Sequence, residues 1–257
     1  MFNRPLHAQP FPLPKGVTPP PSPSLPFENV SHTLGQPAAI HFFDPNSQED
    51  LQAMREILRG KQSKKWMDET QQISVTDYQE WAGAESNTSF LFGVLDARTS
   101  DQEQTKFVRG FVYIYSEREE KFRVKRMEKM GFIPPAVAQR YALEISFAVR
   151  PLPDGMQSGS GLMSSAVRQS CLQVQMLLTS LEPSEVIIFA FVDPENIPAQ
   201  RTLESSGFIR RGAMKYDSDS SDETYVYILN WRILKRKIRE KLLEVLQKQE
   251  APESTLI

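Results

Sequence analysis

Cysteine is all but missing from this chain. Cys171 stands alone among 257 residues, so no internal disulfide can form and no pair of thiolates can hold a zinc ion. The three histidines, His7, His32 and His41, lie early and without ligand spacing. No metal is expected, and an intracellular setting is. Long apolar runs are lacking as well: no stretch approaches the roughly 20 residues of a membrane span, and the N-terminus lacks the basic-then-apolar order of a secretory signal. These absences point to a soluble, cytoplasmic protein. An excess of either charge is also absent, since 30 Lys+Arg stand against 32 Asp+Glu for a formal net charge of -2. That argues against binding to nucleic acid through bulk positive charge, although a local patch could hide in a neutral total, and a nucleic-acid partner is not expected.

What is present is an ordinary globular mixture, 40% hydrophobic and 24% charged, in a length that suits one large domain or two small ones. Residues 1 to 36 differ, because PFPLPKGVTPPPSPSLPF is so rich in proline that backbone donors are missing and neither helix nor ladder can propagate. That segment reads as an extended tail. Its PPPSP could dock an aromatic groove on a protein partner, although a plain flexible extension is the favoured reading.

From Ala38 the pattern changes to a short strand, AAIHFFD, and then to SQEDLQAMREILRG, where Leu51, Met54, Ile57 and Leu58 fall at helical spacing behind a Ser47 cap. SVTDYQEWAG is the next helix candidate. TSFLFGVLDA and KFVRGFVYIYSE read as a strand pair around a polar turn at Thr99 to Gln104. Residues 117 to 140 are charged and then broken by Pro134-Pro135, which suggests an insertion or a short helix plus loop. In YALEISFAVR, Tyr141, Leu143, Ile145, Phe147 and Val149 share one face of a strand, and Ala142, Glu144, Ser146, Ala148 and Arg150 the other. A helix from LMSSAVRQ, the strand EVIIFAFV, the stretch DPENIPAQRTLESSGF, a hairpin and a closing helix complete a mixed α/β order.

Two stretches carry chemistry. In PLPDGMQSGSGLMSSAVRQ, Gly159 and Gly161 remove side chains where phosphates could approach the backbone, just before a helix whose first N–H groups point the same way. A Walker loop is excluded because no lysine lies there. A dinucleotide fingerprint fails because Ser164 holds its third glycine position. In DPENIPAQRTLESSGF, Asn196 or Asp193 can cap a helix that Gly207 ends in the left-handed conformation.

In combination and order, these stretches resemble the GNAT superfamily of acyl-CoA-dependent N-acyltransferases. LEISFAVRP is similar to that fold's fourth strand, GSGLMSSAVRQ to its pyrophosphate loop and helix, and EVIIFAFVDPEN to its fifth strand. Asn196, Ala199, Arg201, Leu203, Glu204, Gly207 and Phe208 resemble the Asn-x-x-Ser/Ala-x-Arg-x-Leu-Glu-x-x-Gly-Phe run of the ribosomal-protein N-terminal acetyltransferase branch. The sequence departs from the family pattern at Ser158, where Arg or Gln is usual, at Met163, where Gly or Ala is usual, and at Leu203, where many members place a tyrosine that protonates the thiolate.

The resemblance implies an α/β fold with a mixed, mostly antiparallel twisted sheet, splayed between its fourth and fifth strands and flanked by helices. It implies a proline-rich tail at 1–36, a GNAT domain at 37–231 and a basic closing helix and tail at 232–257. It implies acetyl-CoA as co-substrate and an amine acceptor, with no metal. Phe147, Ala148 and Val149 would offer amides to the pantetheine. Ser158, Gly159, Ser160, Gly161, Leu162 and Met163 would hold the pyrophosphate, and Asn196 would bond the pantetheine or adjacent backbone. Glu144 resembles the strand-borne general base of the histone-acetylating branch, the alternative being an ion pair with Arg140 or Arg150. With Leu203 unable to donate a proton, Tyr141 or water would do so. A fold that binds CoA without catalysis, or an RNA or protein adaptor, stands beside the enzyme as the other reading.

Two charged features remain. Asp217, Asp219, Asp222 and Glu223 between the last two strands read as a solvated hairpin tip, or as a negative rim that favours a cationic acceptor. Arg232, Lys235, Arg236, Lys237, Arg239 and Lys241 of the closing helix read as a solvated face with i,i+4 pairs to Glu240, the alternative being contact with RNA.

Overall fold

The computed structural model describes residues 38–44, 46–66, 89–96, 108–116, 121–134, 141–150, 161–178, 186–215 and 223–250. The proline-rich tail, SVTDYQEWAG, the turn at Thr99 to Gln104, Ser158 to Ser160 and the loop from Asp217 to Asp222 lie outside them. Seven strands form one sheet: β1 Ala38–Phe42, β2 Ser89–Asp96, β3 Val108–Ser116, β4 Tyr141–Val149, β5 Val186–Val192, β6 Phe208–Lys215 and β7 Glu223–Leu229, in the order β1-β2-β3-β4-β5-β7-β6. Only β4 and β5 run parallel among the described pairs, which makes the sheet mixed and mostly antiparallel, as expected.

The helices follow from local chemistry. α1 (Gln48–Arg59) starts where the Ser47 hydroxyl accepts the Asp50 amide at 3.2 Å, with Glu49 and Asp50 set against the positive end of the helix dipole. Its Leu51, Met54, Ile57 and Leu58 are buried. α2 (Lys61–Trp66) follows after Gly60, and the buried Ser63 hydroxyl donates to the carbonyl of Ile57 to hold the bend. α3 (Lys121–Lys129) is the short helix within the charged segment. α4 spans Leu162–Leu177, α5 Ile197–Ser206 and α6 Trp231–Glu250.

Strand alternation decides which helix covers which face. Leu143 and Ile145 of β4 turn toward α4, packing with Ala166, Val167, Cys171 and Val174 in the largest apolar cluster. The opposite face is covered in two parts. α1 packs over Phe111, Tyr113, Tyr115 and Ala148, while α3 brings Val124 and Met127 onto Phe189, Val226 and Ile228. Glu144 and Ser146 fall between those two covers. The same cluster that holds α4 includes Leu234, which is fully buried, with Trp231 and Ile238 packed beside it. The Trp231 indole donates to the carbonyl of Val186 at 3.2 Å, so the first turns of α6 are fastened to the start of β5.

Gly207 ends α5 at φ 98, with its amide bonded back to Glu204 and Leu203 carbonyls. A Cβ there would lie 3.0 Å from the Leu234 amide nitrogen. Glycine is thus required twice, by the left-handed backbone and by the close approach of α6. Gly207→Ala is expected to lower stability by roughly 2 kcal/mol, from the left-handed penalty and the contact together. Urea unfolding of the two proteins measures it directly.

Candidate functional site

The β4–β5 ladder is short. Tyr141↔Val186 through Glu144↔Phe189 are paired, and the pairing stops there. The far half of β4 stays with β3 up to Gly110↔Val149. The far half of β5 pairs instead with β7, Phe189↔Ile228 through Val192↔Tyr225. The two parallel strands therefore diverge beyond Glu144, which is the splay that the family resemblance implies.

Backbone alternation shows what the fork presents. The Arg150 amide donates to the Arg109 carbonyl on β3 at 2.7 Å, and successive strand amides point to opposite sides. The amides of Phe147 and Val149 consequently face the β5 side, into the fork, whereas that of Ala148 faces β3. Of the three strand residues expected to bind pantetheine, two direct donors into the gap and Ala148 does not. Val149 is 40% exposed, consistent with an open strand margin.

The end of β4 leads to α4, whose N-cap is Gly161 at φ 72 with no side-chain capping bond. Among the described residues nothing lies within 4 Å of a Cβ built at Gly161. The first helical bond runs from the Ser165 amide to the Gly161 carbonyl at 2.9 Å. Leu162 and Met163 turn their side chains inward; Met163 sits over Gly110 of β3, where its Cε is 2.8 Å from a Cβ built on that glycine. The departure from the usual small residue at Met163 is therefore taken up by the core, with the backbone of the turn facing outward.

Across the fork, Asn196 caps α5, its Oδ1 accepting the Ala199 amide at 3.2 Å. The plain capping role is the one observed, with the turn before it held by the Asn196 amide on the Asp193 carbonyl at 2.9 Å. Glu195 in that turn meets Lys65 of α2 at 3.8 Å, which brings α2 to the open end of the fork.

At the closed end stands Glu144. Its carboxylate bonds the Arg123 guanidinium of α3 at 3.2 Å, with the two side chains only 6% and 3% exposed. Arg123 also lies 5.5 Å from the centroid of the Phe191 ring. The sequence offers Arg140 or Arg150 as partners; Arg150 pairs with Glu56 of α1 instead, and Arg140 lies outside the described residues. Arg123 escapes sequence reasoning because it belongs to a charged segment that spacing cannot attach to any strand. Its signal is faint: Val124 and Met127 beside it are an apolar pair at helical spacing.

The side chain of Tyr141 lies outside the described residues. Leu203 is fully buried in the core beside α4. Tyr227 is a buried phenol whose hydroxyl donates to Glu204 at 3.1 Å, and burial first, then the Glu204 bond, push it up to about 12. It lies on β7, beyond β5 from the fork. Burial raises the Cys171 thiol far above its ordinary range, so it has no nucleophilic character. No group of three His, Cys, Asp or Glu suited to a metal occurs among the described residues, nor does any described helix have the length and apolarity to cross a membrane.

No family model matches the chain, and no curated protein matches it in sequence. Solved structures do match in fold. AAC(6')-Ib in complex with ribostamycin and coenzyme A is similar with a TM-score of 0.53 at 16% identity, over 77% of this chain and 96% of that one. Mycobacterium smegmatis RimJ in complex with CoA-disulfide gives 0.51 at 15%, over 80% and 88%. A spermidine N-acetyltransferase SpeG chimera from Vibrio cholerae and hSSAT gives 0.50 at 13%, over 79% and 99%. The fold is that of the GNAT acetyltransferases. An aminoglycoside enzyme, RimJ and a spermidine enzyme match about equally, so the ribosomal-protein branch is not singled out.

The buried pair at the fork has a measurable consequence. Arg123→Met removes the guanidinium from a carboxylate held in the core and is expected to cost roughly 3 kcal/mol, most of which Arg123→Met with Glu144→Leu recovers. Chemical denaturation of the two variants checks this.

Proposed function

We propose that the protein transfers an acetyl group from acetyl-CoA to a primary amine, either a protein N-terminus or a small amine, by direct attack. One observation carries this reading: the fork between β4 and β5 opens at the same end of the sheet as the Gly161 start of α4. A cradle of inward-facing strand amides beside a helix N-terminus fits an extended chain that ends in phosphates. Acetyl-CoA supplies the activated acyl group as a thioester and leaves as the thiol.

The residues divide the work by position. The Phe147 and Val149 amides bind along the pantetheine arm and can polarise a carbonyl oxygen placed between the strands. Gly159, Gly161 and the backbone of the first α4 turn receive the pyrophosphate, with Ser158 and Ser160 as neutral hydroxyl donors in place of a cation. Asn196 holds α5 beside the arm. In the transfer a C–N bond forms and a C–S bond breaks, so the amine must lose a proton and the sulfur must gain one. Glu144 is the carboxylate at the fork that can take the first, with Arg123 fixing its orientation. Tyr141, at the start of the same strand, is the residue proposed to deliver the second. The carboxylates at Asp217, Asp219 and Asp222, between β6 and β7, with Glu223 opening β7, favour a cationic acceptor. The domain carrying this chemistry spans residues 37–231, in a cytoplasmic protein.

A second reading has its own support. Leu203 stands buried where a proton-donating tyrosine is usual, which fits a module that binds CoA without turning it over.

Acetyl-CoA at about 100 times its Kd is expected to stabilise the protein by roughly 2.7 kcal/mol. Gly161→Val, which forces a β-branched residue into a left-handed turn in the proposed cradle, should abolish that thermal shift while leaving most of the unliganded fold. A shift that persists in the variant would put the cofactor elsewhere. Glu144→Gln should retain the shift but lower turnover on an amine panel by about 100-fold. Full turnover in that variant would return Glu144 to a purely structural role, and a shift without turnover in the unaltered protein would favour the binding module.

A further inference from the structure

The closing helix bears a feature that acetyl transfer does not use. Arg232, Lys235, Arg236 and Arg239 recur at i, i+3, i+4 and i+7, so they form one stripe along α6, and all four are exposed. The stripe is roughly 10 Å long at 1.5 Å per residue. Arg236 shares it with Glu240 at 3.5 Å, and Lys241 on the flank is matched by Glu244 at 2.6 Å. Among the described residues no ion pair engages Arg232, Lys235 or Arg239. The sequence-based expectation of a face neutralised by i,i+4 pairs is met at one position of the four.

We propose that this stripe docks the phosphate backbone of a nucleic acid, without reading its sequence. Charge complementarity favours phosphate, and what the helix lacks removes the alternatives. Residues 231 to 241 carry six cations and one carboxylate in a chain whose formal net charge is -2, and four of those six cations fall on the stripe. A membrane surface needs an apolar stripe to insert. Here Trp231, Leu234 and Ile238 are already packed into the domain, and the exposed Leu242 and Leu243 lie beyond Arg239, the last cation of the stripe. A protein partner needs an apolar centre to its interface, which these turns do not offer. Phosphates spaced along a strand need only cations in a row, with contacts from Arg set by its planar fork of donors. The helix's single aromatic ring, Trp231, is packed into the domain, so bases have nothing to stack on, and sequence preference should be absent. The inference is independent of acetyl transfer.

Fluorescence anisotropy of the full chain with a labelled 20-nucleotide oligo(U) tests it. We expect Kd on the order of 10⁻⁵ M at low salt, a slope of log K on log salt of roughly -3 for four phosphate contacts, and equal affinity for oligo(A). Replacing Arg232, Lys235 and Arg239 together by Gln should weaken binding at least tenfold and make the slope shallower by about 2. All three are exposed, and circular dichroism will verify that the helix is kept. The proposal is overturned by binding that the triple variant leaves unchanged, by no binding at 25 mM salt, or by phosphatidylserine vesicles or polyglutamate competing as well as oligo(U) does.

Discussion

The divergence of β4 from β5 is the constraint on which the rest depends. Two parallel strands pair for four residues, and then each commits its far half to a different neighbour, β4 to β3 and β5 to β7. Backbone donors and acceptors facing the space between them must find water or a ligand, because neither strand can turn back without breaking its other ladder. The fork is therefore enforced by the two antiparallel pairings on either side. It is not a local defect of β4, whose pairing with β3 runs without a bulge.

Once the fork is fixed, the helices fall into place around it. α4 begins where β4 ends and covers one face through Ala166, Val167, Cys171 and Val174. α1 and α3 cover the other face from opposite sides and leave Glu144 and Ser146 between them. Two ion pairs tie these covers to the same strand, Arg150 with Glu56 of α1 and Arg123 of α3 with Glu144. The inner pair is closed from solvent. Such a pair adds little net stability over an apolar equivalent, yet it makes any displacement of α3 costly, because a carboxylate in the core would then lose its guanidinium. Its effect is to hold the carboxylate and the helix in one geometry at the closed end of the fork.

Much of this is legible in the amino-acid order. The Ser47 and Asn196 caps, the Gly207 stop and the two faces of β4 all follow from interactions within a few residues, and each stands where the spacing puts it. The cradle before α4 is legible as glycine chemistry, and Gly161 does take the left-handed conformation at the helix start. What cannot be read are partnerships across long separations. Glu144 and Arg123 are 21 residues apart, Arg150 and Glu56 are 94 apart, and neither pair has a periodicity to betray it. The family resemblance groups Ala148 with its neighbours as a fork donor, and only the register with β3 turns its amide away.

The sequence by itself determined the elements, their polarity and which side of each strand is apolar, because those depend on dihedral preference, capping and alternation over one or two turns. Tertiary structure decided where the β4–β5 ladder stops, which arginine meets Glu144, and which cations of α6 remain on the surface. Those outcomes depend on register and on which faces are consumed by packing. A chain reveals its faces one element at a time, but only the assembled sheet shows which of them are already taken.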